Sequence, residues 1–138
     1  MKKELDEKLC KDFPLLYRDQ HGDSRKTAMC FGFQVDDGWY DLIYKLSGSL
    51  ENIITGMKVD NDSSLPRATT VKEKFGGLRF YVSPTTDQIH AIISKAESES
   101  YKICERCGEP GTFRRFKWLV TLCDKHADEQ ANDKENPQ

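Results

Sequence analysis

Cys104-Glu-Arg-Cys107-Gly108 and, after fifteen intervening residues, Cys123-Asp-Lys-His126 form the stretch around which the chain is organised. The spacing is C-x2-C-x15-C-x2-H. Two closely spaced pairs of thiolate and imidazole ligands suit a tetrahedral structural zinc ion, each pair gripping one edge of the tetrahedron. Gly108, directly after the second thiolate, can take the positive φ that a tight knuckle requires. Two unrelated thiol pairs would not be expected to share this spacing. A CxxC redox motif needs a βαβ context, which the flanking sequence lacks. Disulfides are disfavoured because nothing suggests secretion: Met1-Lys-Lys-Glu-Leu-Asp-Glu-Lys8 is too charged for a signal peptide. The expectation is one structural zinc on Cys104, Cys107, Cys123 and His126, in a cytoplasmic protein.

Outward from the ligands, Thr112–Phe116 and Trp118–Leu122 read as a short hairpin, and Asp124, Asp128 and Glu129 suit the first turns of a helix carrying His126. Knuckle, hairpin and helix start follow the order of a treble-clef zinc finger. Upstream, Ile89, Ile92, Ile93, Ala96 and Ile103 form an apolar stripe, so a helix over 86–103, capped by Thr85 with Gln88, leads into Cys104. Thr69–Phe75 and Leu78–Ser83 flank Gly76-Gly77, a two-residue hairpin signal. That register places Phe75 opposite Leu78, with Val71, Phe75, Leu78, Phe80 and Val82 on the buried face. Lys72, Lys74, Arg79 and Tyr81 take the outer face, and Glu73 breaks the apolar one.

The clearest helix is 38–55, with Trp39, Leu42, Ile43, Leu46, Leu50 and Ile54 at helical spacing and Asp37 as the expected N-cap. Met29, Phe31, Phe33 and Val35 alternate with small or polar residues, which predicts a strand over 29–35. Leu5, Leu9 and Phe13 predict a short helix over 2–12, ended by Pro14. Residues 18–28 and 58–68 read as loops, and Cys10 and Cys30 as free buried thiols. The fold class is therefore α+β: a small antiparallel sheet of about three strands packed on helices, with a treble-clef-like zinc finger at its C-terminal side. The expected division is a core over 1–103, a finger over 104–130 and a flexible tail over 131–138. On this division, losing the metal should unfold the finger and spare the core.

With 138 residues, 37% hydrophobic and 32% charged, the chain has a modest core to which a metal staple would add. The net charge of −2 gives no whole-protein field toward nucleic acid. It is unevenly spread: residues 36–62 carry six acidic groups against two lysines, and 102–118 carry five basic groups against two glutamates. No apolar run approaches membrane-spanning length.

Asp37-Gly-Trp-Tyr-Asp-Leu-Ile43, Lys72-Glu-Lys-Phe-Gly-Gly-Leu-Arg-Phe-Tyr81, Cys104-Glu-Arg-Cys-Gly108 and Leu122-Cys-Asp-Lys-His126 resemble the motifs of a family of small uncharacterised proteins found in bacterial and phage genomes. The resemblance covers roughly residues 10–127. It implies a bacterial or phage cytosolic origin, and a phage setting raises the expectation of a protein that binds host machinery. No functional residue carries over from it.

Three functions compete. The first is a non-enzymatic protein that binds a protein partner, as adaptor or modulator of host machinery, through Lys72, Lys74, Arg79, Tyr81, Arg114, Arg115 and Trp118. The second is nucleic-acid binding by those cations and aromatics, to single-stranded DNA or structured RNA. The third is an enzyme using Glu73, a carboxylate on an apolar face. Four protein ligands close the expected metal site, where a catalytic zinc keeps an open position, and no catalytic constellation is predicted. Protein binding is therefore the leading expectation.

Overall fold

The computed structural model describes residues 1–19, 29, 32–58 and 64–135, with side chains through 131. The expected loop residues 20–28 and 59–63, along with His21, Cys30 and Phe31, lie outside the described residues.

Helix α1 spans Lys3–Asp12 and presents Leu9 to the interior. Strand β1 is short, Phe33–Gln34. A turn of 3₁₀ helix, Asp37–Trp39, leads into α2, Tyr40–Thr55. Asp37 does not cap α2 as expected; its carboxylate accepts the backbone N–H of Lys2 at 2.7 Å and so ties the start of the chain to the start of the helix. The predicted stripe on α2 is buried: Trp39, Leu42, Ile43, Leu46, Leu50 and Ile54 all face the core. Each large side chain buried this way contributes about 1.5–3 kcal/mol relative to exposure. Near the N-terminus of the fold, Glu51 of α2 accepts the backbone N–H groups of Leu15 and Leu16 at 3.1 and 2.8 Å. Phe13 meets Tyr44 edge-on, fixing α1 against α2.

Strands β2, Arg67–Lys74, and β3, Gly77–Ser83, form the hairpin, and β2 also carries β1 on its free edge. The sheet has the three expected strands, but β1 runs parallel to β2, with Phe33 beside Val71, where an antiparallel strand was expected. Alternation of side chains fixes which face is buried and carries no information about strand direction.

The hairpin turn also sits one residue earlier than expected, which moves every cross-strand partner by two and keeps the same faces. Lys74 pairs with Gly77, Glu73 with Leu78 and Val71 with Phe80, so the two turn residues are Phe75 and Gly76. Both have positive φ, 56° and 84°, the conformation of a type I′ turn. Gly77 belongs to the strand because Tyr101 presses on it: a Cβ there would lie 2.3 Å from the Tyr101 ring. Val71, Leu78 and Phe80 are buried as expected, while Phe75 is exposed at the tip.

Helix α3, Asp87–Ser100, packs across β3 and α2. Its cap is Thr86, one residue after the expected Thr85: the Thr86 hydroxyl accepts the Ile89 N–H at 3.2 Å. The helix stops at Ser100, and a turn then brings Ile103 into a bridge with Pro110. The cluster from Leu9 to Ala96 forms one continuous core. Strands β4, Thr112–Arg115, and β5, Leu119–Leu122, make the second hairpin, followed by α4, Asp124–Glu135. Helix α4 extends beyond the expected boundary at 130 and takes in residues 131–135 of the expected tail. Gln130, Ala131, Lys134 and Glu135 are good helix formers, so the helix continues through them.

Candidate metal centre and the finger's grip on the core

The metal ligands converge as their spacing predicts. The ligand atoms of Cys104, Cys107, Cys123 and His126 all lie within 4.8 Å of one another. Cys107 Sγ is 3.8 Å from Cys123 Sγ, and His126 Nδ1 is 3.5 Å from Cys104 Sγ and 3.2 Å from Cys123 Sγ. A tetrahedral ion with bonds of about 2.3 Å to sulfur and about 2.0–2.1 Å to nitrogen needs edges of about 3.8 Å between sulfurs and about 3.5 Å between sulfur and nitrogen. The four side chains therefore match the donor set of one four-coordinate metal ion.

Local backbone geometry delivers each ligand. In the knuckle, the Gly108 N–H donates to the Cys104 carbonyl at 2.9 Å and the Cys104 N–H to the Glu109 carbonyl at 2.8 Å. Gly108 has a φ of 83°, as the motif requires. Cys123 immediately precedes α4, and His126 lies in its first turn. His126 turns Nδ1 toward the sulfurs and sets Nε2 3.8 Å from the Glu129 carboxylate, which can orient the ring. Arg106 donates to Gln130 at 2.6 Å and Arg114 to Asp124 at 2.8 Å, tying α4 to the knuckle and to the second hairpin.

The sulfurs are electrostatically unequal. Burial pushes the Cys104 thiol up, but backbone N–H groups of Cys123, Cys107 and Arg106 outweigh it and leave the thiol below its ordinary value. Cys107 receives the Glu109 N–H, which favours its thiolate; burial and the neighbouring Cys104 and Cys123 sulfurs outweigh this and raise it. Cys104 and Cys107 thus pull in opposite directions, and a metal ion bound among the ligands would supply the charge that favours the thiolates.

The finger grips the core at two places. At the first, the Gly38 N–H donates to the Glu105 carbonyl at 2.6 Å, Trp39 Nε1 to the Ile103 carbonyl at 2.9 Å, and the Asp36 N–H to the Glu105 carboxylate at 3.1 Å. Burial raises the Glu105 carboxyl to about 7, against the favourable Asp36 N–H. At the second, the Thr121 hydroxyl donates to the Gly76 carbonyl at 2.6 Å, and Tyr101 meets Phe113 edge-on at 5.6 Å. Neither grip was foreseen from the sequence. Each joins segments far apart in the chain through backbone carbonyls, for which residue type gives no signal.

The residues expected to meet a partner divide into two groups. Arg79 donates to the Leu78 carbonyl and to the Tyr101 hydroxyl, and Arg114 to the Leu122 carbonyl and Asp124, so both have work within the fold. Lys74 and Arg115 are exposed, Lys72 is half-buried, and Tyr81 and Trp118 are 46% and 54% exposed. The two hairpins bring these groups to the surface of one unit. Glu73 lies on the apolar face as expected, where its carboxylate accepts the Gly76 N–H at 2.7 Å and closes the turn.

Fold and site define an α+β protein with a Cys3His cluster able to hold one metal ion, and no described helix is long and apolar enough to cross a membrane. Compared with known proteins, the chain matches no family model, no curated protein and no solved structure.

Proposed function

We propose that this is a zinc-stabilised, non-enzymatic protein of the bacterial or phage cytoplasm that works by binding a protein partner, as an adaptor or modulator of host machinery. The metal is zinc because three thiolates and one imidazole form a closed tetrahedral set, soft enough for zinc and without an open position. In this reading the finger is a treble clef and its metal is structural.

One observation carries the binding role. Among the described residues the exposed large hydrophobic side chains are three aromatics, Phe75, Tyr81 and Trp118, and all lie on the two hairpins. Lys72, Lys74, Arg115 and Lys117 lie on the same hairpins. Rigid aromatics beside cations are common energetic anchors of protein interfaces. The turn-closing bond of Glu73 supports a structural use of that carboxylate over a catalytic one.

The test is capture from bacterial lysate with and without nuclease, comparing the native chain with a Tyr81→Ala, Arg115→Ala variant. Protein partners should survive nuclease and bind the variant at least about ten-fold more weakly, a loss of about 1.4 kcal/mol. Melting should change far less than binding, because both side chains are largely exposed and surface substitutions cost little. Nucleic acid that co-purifies and disappears with nuclease would replace the protein partner with a nucleic acid. Unchanged capture by the variant would remove these faces from the account.

A further inference from the structure

Phe75 stands where burial gives it little reward. Its φ of 56° lies in the left-handed region, which disfavours side chains other than Gly, Asn and Asp. Turns with positive φ at both central positions favour Asn-Gly or Asp-Gly, and here the pair is Phe75-Gly76. The ring is 61% exposed, so burial recovers little of the strain. The Lys74 ammonium lies 5.3 Å from the ring centroid.

The tip is nevertheless held firmly. The Gly76 N–H is bound by Glu73, its carbonyl by Thr121, and a Cβ on Gly76 would meet the Phe113 ring at 2.9 Å. Two of these three contacts come from the finger, so the metal-held unit braces the hairpin turn. Strand β5 runs directly past it: Val120 N would be 3.2 Å from that same Cβ. Arg115, exposed, pairs with Leu119, the residue before Val120. An exposed aromatic in a strained but braced turn, with the Lys74 ammonium beside it and Arg115 exposed on the neighbouring hairpin, is a preorganised anchor.

We propose that Phe75 is the residue by which the partner protein is held, packing against an apolar side chain within an acidic segment whose carboxylates face Lys74 and Arg115. This rests on the reading that the partner is a protein. The commitment to an acidic segment follows from charge complementarity, since Glu73 is turned inward on its own turn.

The probe is a library of random dodecapeptides displayed on phage particles and selected against the full, metal-loaded chain. Enriched peptides should carry a large apolar residue flanked by Asp or Glu. A synthetic peptide from that set should bind Phe75→Asn at least ten-fold more weakly, and Lys74→Ala, Arg115→Ala several-fold more weakly. The same Phe75→Asn variant should melt at a higher temperature than the native chain, because asparagine suits the turn. Equal binding by Phe75→Asn would overturn the anchor while leaving protein binding intact. A lower melting temperature would overturn it too, by showing that Phe75 serves the fold. Failure to enrich any peptide, with tight binding of a twenty-residue oligo(dT), would overturn the protein-partner reading itself.

Discussion

Gly38→Ala is the sharpest perturbation of the joint between finger and core. A Cβ on Gly38 would sit 2.1 Å from the Cys104 carbonyl oxygen, 2.4 Å from that of Glu105 and 2.5 Å from the Glu105 carbonyl carbon. All three are backbone atoms, so no rotamer change relieves the contact. Either the knuckle or the 3₁₀ turn must move. Overpacking of this kind costs about 1–3 kcal/mol. Movement also stretches the 2.6 Å bond from Gly38 N–H to Glu105, a net loss of about 0.5–1.5 kcal/mol. Together the substitution should destabilise by about 2–4 kcal/mol, a large part of the roughly 5–15 kcal/mol of a typical domain.

Urea unfolding followed by circular dichroism should show the midpoint falling by about 1–2 M. A competition titration with a chromogenic chelator separates the two ways of yielding. If the knuckle moves, metal affinity falls; if the turn moves, affinity holds and the buried Trp39 indole loses its Ile103 carbonyl. Gly48→Ala is the control. It lies within α2, and its Cβ would meet nothing closer than Phe13 at 3.7 Å, so it should be neutral or stabilising by up to about 1 kcal/mol. A Gly38→Ala protein within about 0.5 kcal/mol of the native chain, with unchanged metal affinity, would refute the joint.

Three further outcomes follow from the same geometry. Gly77→Ala should destabilise through its clash with the Tyr101 side chain, and Gly77→Ala with Tyr101→Ala should recover part of that loss, since this obstacle is a side chain; a thermal-melt double-mutant cycle measures the coupling. Cys10 is half-buried, and burial with the nearby Asp6 carboxylate pushes its thiol up to about 12. Because the raised value keeps it neutral, iodoacetamide at pH 8 should leave Cys10 unmodified in the native protein and label it after denaturation, read by peptide mass spectrometry. Metal chelation, or Cys107→Ser, should abolish hydrogen-exchange protection across 104–127 while amides of α2 stay protected; simultaneous loss in both would show a single cooperative unit.

What was legible in the sequence depended on whether the relevant physics is local. The ligand set was readable because three cysteines and a histidine at fixed spacing have few other uses. Helix α2 was readable because its apolar residues recur with the helical period. The cap of α3 slipped by one residue because Thr85 and Thr86 are both competent. The first hairpin slipped because Gly76-Gly77 is locally the better turn, and only Tyr101, more than twenty residues later, makes a glycine necessary in the strand. The exposure of Phe75 follows from that slip and could not be read from local propensity, which argues against phenylalanine in a left-handed turn. The direction of β1 was invisible because parallel and antiparallel strands bury the same alternate residues.

The two grips divide stability from position. Among the described residues the finger's buried cluster is Cys104, Leu122 and Ala127, with Phe116, Val120 and Cys123 partly buried against it, and the larger core cluster from Leu9 to Ala96 is separate from it. So small a cluster gives the finger limited support from burial, and coordination of a metal ion by the Cys3His cluster would add to it. Its orientation is set differently, by close backbone approaches at Gly38 and Gly76 that leave no room for a side chain. Contacts of that kind contribute little burial but tolerate little displacement. A metal ion bound by the cluster and keeping this segment folded would thus also keep Thr121 and Phe113 against the Phe75 turn, although neither side chain is a ligand. The hairpin backbone belongs to the core by its pairing and burial, and its exposed tip belongs to the finger by its bracing.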